Sequence, residues 1–233
     1  MLRAMIRTPW RTNLSARLGG ALLVLSSLAG CAKESANAGS SAPITDAREL
    51  QPFDRLVVEG AFEVLVHVQP GAQARLELTG DAAQRELVTL SVSDAVLTVA
   101  PPPIVVRPSL QPVRIEIWAP SLLGLRASGA TKVAVEGLAG ERFELALSDA
   151  SHTSLSGAVD RLEAAVGDAT QLDARGLQAT DVDLKAKDAS KALVWASGVL
   201  DVTVSDAAAV IHHGHPAEIR QATKDAGSLK PGD

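Results

Sequence analysis

"SDASHTSLSGAVDRLEAAVGDAT" (148–170) begins and ends with the same kind of tetrapeptide. The tetrapeptide has Asp or Gly in its second position, Ala in its third and usually Ser or Thr in its fourth. It occurs six times at intervals of 18 to 20 residues, as SGAT (128–131), SDAS (148–151), GDAT (167–170), KDAS (187–190), SDAA (205–208) and KDAG (224–227). A turn-like motif at a nearly fixed interval indicates a repeat architecture rather than a catalytic signature.

Apolar residues alternate with polar ones before each copy of the motif, which is the period of a half-buried β-strand. Each unit is therefore interpreted as two short strands and two turns. One unit cannot cover its own apolar face, whereas stacked units bury it together. The pattern predicts an all-β fold, a β-helix-like solenoid of about 20-residue rungs, because propeller blades need about 40 residues. The apolar positions are Leu123, Leu125, Ala127; Phe143, Leu145, Leu147; Leu162, Ala164, Val166; Val182, Leu184, Ala186; and Leu200, Val202, Val204.

The tetrapeptide is interpreted as the corner of each rung. Its second position, Gly129 in the first copy, needs a left-handed backbone, which Gly adopts freely and Asp tolerates. The third position is interpreted as a small residue packed inside the tight corner (Ala150, Ala169, Ala189, Ala207). The hydroxyl groups at the fourth position are expected to hydrogen-bond from rung to rung (Thr131, Ser151, Thr170, Ser190).

An N-terminal β region is predicted before the solenoid. Alternation also marks "RLVVEGAFEVLVHVQPG" (55–71), "VTLSVSDAVLTVAP" (88–101) and "VRIEIWAP" (113–120). The proline-rich stretch at 101–112 interrupts this pattern and is interpreted as a loop or an edge, because proline cannot donate to a strand ladder.

The first 30 residues have the features of a secretory signal: four arginines, no acidic residue, and the apolar run "LGGALLVLSSLAG" (18–30). The run ends in "LAGC", which resembles a bacterial lipobox; the alternative is a chance cysteine near an ordinary signal end. The resemblance implies cleavage before Cys31 and a lipid on its thiol, which would anchor the chain to a membrane. We therefore expect a lipoprotein signal peptide at 1–30, an acylated cysteine and flexible tether at 31–46, and one β-helical domain at 47–233.

Charge and composition exclude some classes of function. Beyond residue 30 the chain has 18 Lys and Arg against 27 Asp and Glu, a net charge of −9, which argues against nucleic-acid binding. Aromatic residues are 3% of the chain and Tyr is absent, so stacking platforms for sugars or bases are scarce. No cofactor-binding motif is present, and no cofactor is expected.

Two groups of side chains could hold a metal ion. The corner aspartates should stack about 5 Å apart, and a cation such as Ca²⁺ could relieve their repulsion. The alternative is that each carboxylate bonds its own turn and faces solvent. A second candidate is "IHHGHP" (211–216), which could bind Zn²⁺ or Cu²⁺ or simply end the last rung. The two sets are Asp149, Asp168, Asp188, Asp206 and Asp225, and His212, His213 and His215.

An enzyme of similar architecture, acting on carbohydrate, is the main functional alternative. His152 lies near Ser151 and Ser154, but the sequence has no G-x-S-x-G nucleophile elbow. Such enzymes also use aromatic subsites, and Trp118 and Trp195 are the only tryptophans beyond the signal.

The segments "FDRLVVEGAFEVLVHVQPG" (53–71), "VSDAVLTV" (92–99) and "IWAPSLLGLRASGATKV" (117–133), followed by the corner repeats, resemble bacterial head GIN domain proteins, which are labelled auto-transporter adhesins. The likeness covers about residues 53–230. It implies a β-helix-like fold, export and often a lipid anchor, with no catalytic motif. The chain departs from the family by having Asp where Gly is usual in five of six turns.

The resemblance and the lipobox together predict a cell-envelope protein with a non-catalytic binding, adhesion or structural role. The expected partners are the membrane, an envelope polysaccharide or protein, and a second copy of the chain. Ala32 after the modified cysteine favours the outer membrane as the location.

Overall fold

The computed structural model describes residues 44–80, 86–103 and 113–232, and these form strands and turns. The predicted signal, lipidation and most of the tether, residues 1–43, lie outside these ranges. No helix in the described ranges is long and apolar enough to cross a membrane. The strands are β1 (Ile44–Glu49), β2 (Arg55–Glu59), β3 (Phe62–Val68), β4 (Arg75–Gly80), β5 (Thr89–Ser93), β6 (Val96–Ala100), β7 (Val113–Ala119), β8 (Gly124–Ser128), β9 (Lys132–Leu147), β10 (His152–Val166), β11 (Gln171–Ala186), β12 (Lys191–Ala196), β13 (Val199–Val204), β14 (Ala209–His213), β15 (Glu218–Thr223) and β16 (Ser228–Pro231).

The strands form two walls that share three long strands, β9, β10 and β11. The first wall has the order β1-β4-β7-β3-β9-β10-β11-β12-β14-β16, and the second has β5-β6-β2-β8-β9-β10-β11-β13-β15. The N-terminal half of each long strand lies in the first wall and its C-terminal half in the second. Apolar side chains from both walls form one buried core.

Parallel pairing in register confirms the predicted solenoid, which makes about five turns with rungs of about 20 residues. His152 pairs with Lys132 of the rung before it and with Gln171 of the rung after it. The predicted two short strands per rung are not found in the rungs of β9, β10 and β11, because each of these strands continues through a bend. Gly157 lies at one bend with φ +133°, and a Cβ there would collide with the Leu138 carbonyl of the preceding rung.

Stacked apolar side chains fill the interior. Phe143, Leu162, Val182 and Leu200 align from rung to rung, and each is no more than 2% exposed. Burial of one such side chain contributes about 1.5–3 kcal/mol. The apolar stacking does not continue into the last repeat, because all six residues of β15 are exposed, including Ile219 at 46%.

The N-terminal β region is part of the same stack. β2 pairs in parallel with β6 on one side and β8 on the other, and β3 lies likewise between β7 and β9. The β2–β3 rung is therefore inserted between a β6–β7 rung and a β8–β9 rung. At this end the first wall is completed by β4, antiparallel to β7, and by β1, antiparallel to β4. The second wall is completed by β5, antiparallel to β6. β1 begins at Ile44, three residues before the predicted start of the domain.

Candidate functional site

The predicted left-handed backbone is present at every Asp of the corner motif. Asp168 has φ +53° and the following Ala169 has φ +60°, and the other four Asp-Ala pairs are similar. Two consecutive residues with positive φ make a type I′ turn, which normally favours Gly in the second place. In SGAT, only Gly129 has a positive φ, of +80°, and a Cβ there would lie 2.6 Å from the Gly60 oxygen.

The interpretation of the corner alanines as interior packing was wrong. Ala150, Ala169, Ala189 and Ala207 are exposed, on the outside of the corner. Their backbones join the rungs, because the Ala150 N–H donates to the Asp168 carbonyl oxygen at 3.0 Å. The same bond joins Ala169 to Asp188 at 2.9 Å, and it is repeated up to Asp225. We call these stacked Asp-Ala turns the corner column.

The expected rung-to-rung hydrogen bonds of the fourth-position hydroxyls are mostly not formed. Thr131, Ser151 and Thr170 are at most 1% exposed, and their hydroxyl groups have no partner among the described residues. The exception is Ser190, whose hydroxyl donates to the Val166 carbonyl oxygen at 3.4 Å. The rungs are one strand spacing apart, about 4.8 Å, which is too far for direct hydroxyl contacts.

Neighbouring side chains form hydrogen bonds or an ion pair with three of the corner aspartates. The Ser148 and Ser205 hydroxyls each donate to the carboxylate of the following Asp at 2.8 Å. The Lys187 ammonium lies 2.7 Å from Asp188 Oδ2. Its hydrogen bond to Asp188, and the charges of Asp188, Asp168 and Asp206, raise the pKa of Lys187 above its usual range. Lys187 thus supplies positive charge at the point where a cation was predicted.

The histidine cluster includes two partly buried residues, His212 and His213. His212 Nδ1 is buried without a partner in the described part of the chain. Burial and the neighbouring charge of His213 lower the pKa of His212. No group of three or more His, Cys, Asp or Glu side chains in the described ranges is placed to hold a metal ion. Metal binding by the corner aspartates or by His212, His213 and His215 therefore stays a prediction without support from the geometry.

The serines considered as nucleophiles are not placed for catalysis with His152. Ser151 is 1% exposed and points into the core, whereas His152 is exposed on the outer face. Ser154 shares that outer face and lines a shallow 320 Å³ groove with His152. Within the described residues, no hydrogen bond joins His152 to either serine.

A cross-strand cluster occupies the outer face of the first wall. The Arg75 guanidinium lies 4.0 Å from the ring centre of Trp118, and the His67 ring stacks on Trp118 at 5.2 Å. His67 Nδ1 lies 3.5 Å from a Glu136 carboxylate oxygen. Because β4 and β3 flank β7, Arg75 and His67 approach Trp118 from opposite sides. Trp118 is therefore enclosed by its own neighbours rather than open for a sugar ring.

A chain of ion pairs crosses the outer face of the second wall, and no motif in the sequence indicated it. Its N···O distances run from 2.6 to 3.6 Å. The hydrogen bond from Arg55 lowers the pKa of Glu144. Gly124 lies between these two residues in the register, and the absence of a side chain there lets Arg55 reach Glu144. In order, the chain is Arg55, Glu144, Arg142, Glu163, Arg161 and Asp183.

Two shallow grooves adjoin these ion pairs, with volumes of 650 and 470 Å³. Arg126, Ala146, Ala165 and Lys185 line both grooves. Only the spatial pairing of four different strands brings these residues together, so sequence spacing could not have found them.

Comparisons with known proteins agree with this architecture. The model of the family described as "Putative auto-transporter adhesin, head GIN domain" matches residues 52–216. The solved structure of a protein described as "a putative adhesin" from Bacteroides fragilis is similar, with a TM-score of 0.68, 16% identity, and coverage of 82% of this chain and 98% of that one. A second protein with the same description, from Parabacteroides merdae, has a TM-score of 0.53 and 15% identity, covering 84% of this chain and 98% of that one. No curated protein sequence matches the chain.

Proposed function

Because the chain belongs to the family described as "Putative auto-transporter adhesin, head GIN domain", we propose that it is a lipid-anchored adhesin of the bacterial cell envelope. In this proposal the solenoid is a non-catalytic body whose outer faces bind a partner. The partner is an envelope polysaccharide or protein, and binding between copies of the chain would extend the contact.

The observation that carries this proposal is the continuity of the two walls. Backbone hydrogen bonds join the rungs along the strands and through the corner column, as from Ala150 to Asp168. The exposed side chains of each wall are thereby held in fixed positions on a hydrogen-bonded surface. A preorganised surface binds with a smaller loss of conformational entropy than a flexible one.

The anchor is proposed from the lipobox and from the position of the first strand. "LAGC" ends at Cys31, and β1 begins at Ile44. The short polar segment between them, "AKESANAGSSAP" (32–43), has the composition of a flexible linker. Such a linker would hold the solenoid close to an outer membrane while leaving its walls accessible.

Adhesion is tested with the full chain produced in a non-adherent bacterial host. We expect these cells to be retained on surfaces coated with purified bacterial envelope polysaccharide, and host cells without the chain to wash off. Equal retention of both, on this coating and on one of purified envelope protein, would contradict the adhesin proposal. Release of new reducing ends from the coating by the purified chain would contradict the non-catalytic role.

The anchor is tested with Cys31→Ala and, as a matched control in the same segment, Ser27→Ala. We expect the wild-type chain and the control to incorporate radiolabelled palmitate and to sediment with membranes. Cys31→Ala should do neither, and labelling that persists in it would overturn the anchor. Antibody labelling of intact cells tests whether the solenoid faces outward.

A further inference from the structure

One row of outward side chains on the second wall has two cations separated by two alanines. Arg126 of β8 pairs with Ala146 of β9, Ala146 with Ala165 of β10, and Ala165 with Lys185 of β11. Parallel pairing in register therefore places the four side chains side by side across four strands. The two methyl groups make a low floor, and the two long cationic side chains stand at its ends.

This floor is concave and continuous. The four residues line both the 650 Å³ groove and the adjoining 470 Å³ groove, so the two depressions meet along this row. Gly167 and Lys187 extend the second groove toward the corner column. We call the surface formed by Arg126, Ala146, Ala165, Lys185, Gly167 and Lys187 the cationic trough.

The acidic side chains beside the trough are paired with arginines, whereas its own two cations at the ends of the floor are not paired in the described part of the chain. The carboxylates of the adjacent row, Glu144 and Glu163, are engaged by arginines of the ion-pair chain, at 2.6 Å from Arg55 and from Arg142 respectively. Arg126 and Lys185 form no ion pair with any residue that the structure describes. The two glutamates beside the floor are thus paired with arginines, whereas the two cations of the floor are exposed and keep their positive charge, in a protein of net negative charge.

We propose that the cationic trough binds an acidic polysaccharide. Three strand spacings, about 14 Å, separate the backbones of Arg126 and Lys185. A linear polymer with repeated carboxylates can reach both cations while its sugar rings lie over the alanine floor. A nucleic acid fits less well, because no aromatic side chain lines the trough to stack with bases. This inference rests on the adhesin proposal and specifies its ligand.

The test is isothermal titration of the detergent-solubilised full chain with polygalacturonate. The double variant Arg126→Gln/Lys185→Gln should bind at least about tenfold more weakly, which corresponds to about 1.4 kcal/mol. The matched control Lys132→Gln/Lys191→Gln removes the same charge from the outer face of the first wall and should bind as the wild type does. Ala165→Glu, which introduces a carboxylate at an exposed floor position, should also weaken binding. Circular dichroism verifies that each variant is folded.

Several results would overturn the inference. These are no binding of polygalacturonate by the wild type, equal losses in the two double variants, equally tight binding of neutral dextran, and equally tight binding of monomeric galacturonate. Host cells that produce the Arg126→Gln/Lys185→Gln variant separate the trough proposal from the adhesin proposal, when their retention on the coated surface is measured. If those cells still adhere while polygalacturonate fails to bind the wild type, the trough is wrong and the adhesin proposal stands.

Discussion

The ammonium group of Lys187 lies 2.7 Å from the Asp188 carboxylate, with its aliphatic stem over Gly167 of the preceding rung. A Cβ at Gly167 would be 3.2 Å from Lys187 Cε, so the missing side chain makes room for the lysine. The charges of Asp168 and Asp206 also act on this ammonium. One lysine thereby offsets the repulsion among three stacked carboxylates of the corner column.

Lys187→Gln is expected to lower the thermal unfolding midpoint, because it leaves those carboxylates without their nearest cation. The loss should be larger at about 10 mM salt than at about 1 M, where the Debye length is roughly 3 Å. Differential scanning calorimetry at both salt concentrations measures it. Lys191→Gln, which removes an exposed lysine of the first wall, is the control. A salt-independent change would show that Lys187 acts through packing instead.

Thr153→Val is expected to raise the free energy of unfolding by about 1 kcal/mol or more. Thr153 is 0% exposed and its hydroxyl has no partner among the described residues, so the isosteric variant removes a desolvation cost. Guanidinium denaturation gives the value. Thr203→Val alters an exposed threonine and should change stability by less than about 0.5 kcal/mol. A loss of stability in Thr153→Val would indicate that the hydroxyl binds an ordered water.

Replacement of alanine by glycine should have opposite effects at two positions close in sequence. Ala169 has φ +60°, and a left-handed backbone costs about 1–2 kcal/mol for a residue with a Cβ, so Ala169→Gly should stabilise the fold by up to about 1 kcal/mol. Ala165 lies within β10, where glycine costs about 0.5–1 kcal/mol. Chemical denaturation of both variants tests the difference. Destabilisation by the same amount at both positions would contradict the type I′ corner.

Acid should weaken the C-terminal rungs through His212. Burial lowers its pKa in the folded chain, so below about pH 6.5 the unfolded chain takes up a proton that the folded chain does not. The free energy of unfolding should therefore fall as the pH decreases from about 7 to 5 and change little from this group above pH 7. His212→Val introduces the residue that its neighbour in the preceding rung, Val194, already has. This variant should lose less unfolding free energy on acidification. His215→Gln changes an exposed imidazole and should leave the acid-induced fall in the free energy of unfolding unchanged. If both variants reduced that fall equally, His212 would be excluded as its cause.

The interval between corner motifs was sufficient to predict the solenoid, because each rung returns to the same corner. The motif also predicted the left-handed backbone at Asp168, but it could not show on which side of the corner Ala169 lies. Both an interior and an exterior alanine satisfy the need for a small residue. The structure settles the question, because Ala169 uses its N–H to join two rungs and its methyl group faces solvent.

The N-terminal strands were predicted, but their place in the stack and the cationic trough were not, for a related reason. The corner between β2 and β3 has the same Gly-Ala pair as SGAT, at Gly60 and Ala61, but it lies far outside the 20-residue interval, so the interval does not indicate which rungs the two strands separate. Arg126 and Lys185 lie on rungs whose pairing had to be known before the two cations could be recognised as ends of one row. Periodicity within a strand shows which face a side chain occupies, whereas its neighbours across strands depend on register.

The insertion of the β2–β3 rung between its two neighbours has a consequence for the order of assembly. From β9 onward, each strand pairs with one about 20 residues away, and such near contacts close quickly. Arg55 instead pairs with Val96 and Gly124, which follow much later in the chain. Seating of the β2–β3 rung must wait until both flanking rungs have been made. The strands synthesised first are thus among the last to pair fully. Until then, their apolar side chains and unpaired backbone groups stay exposed.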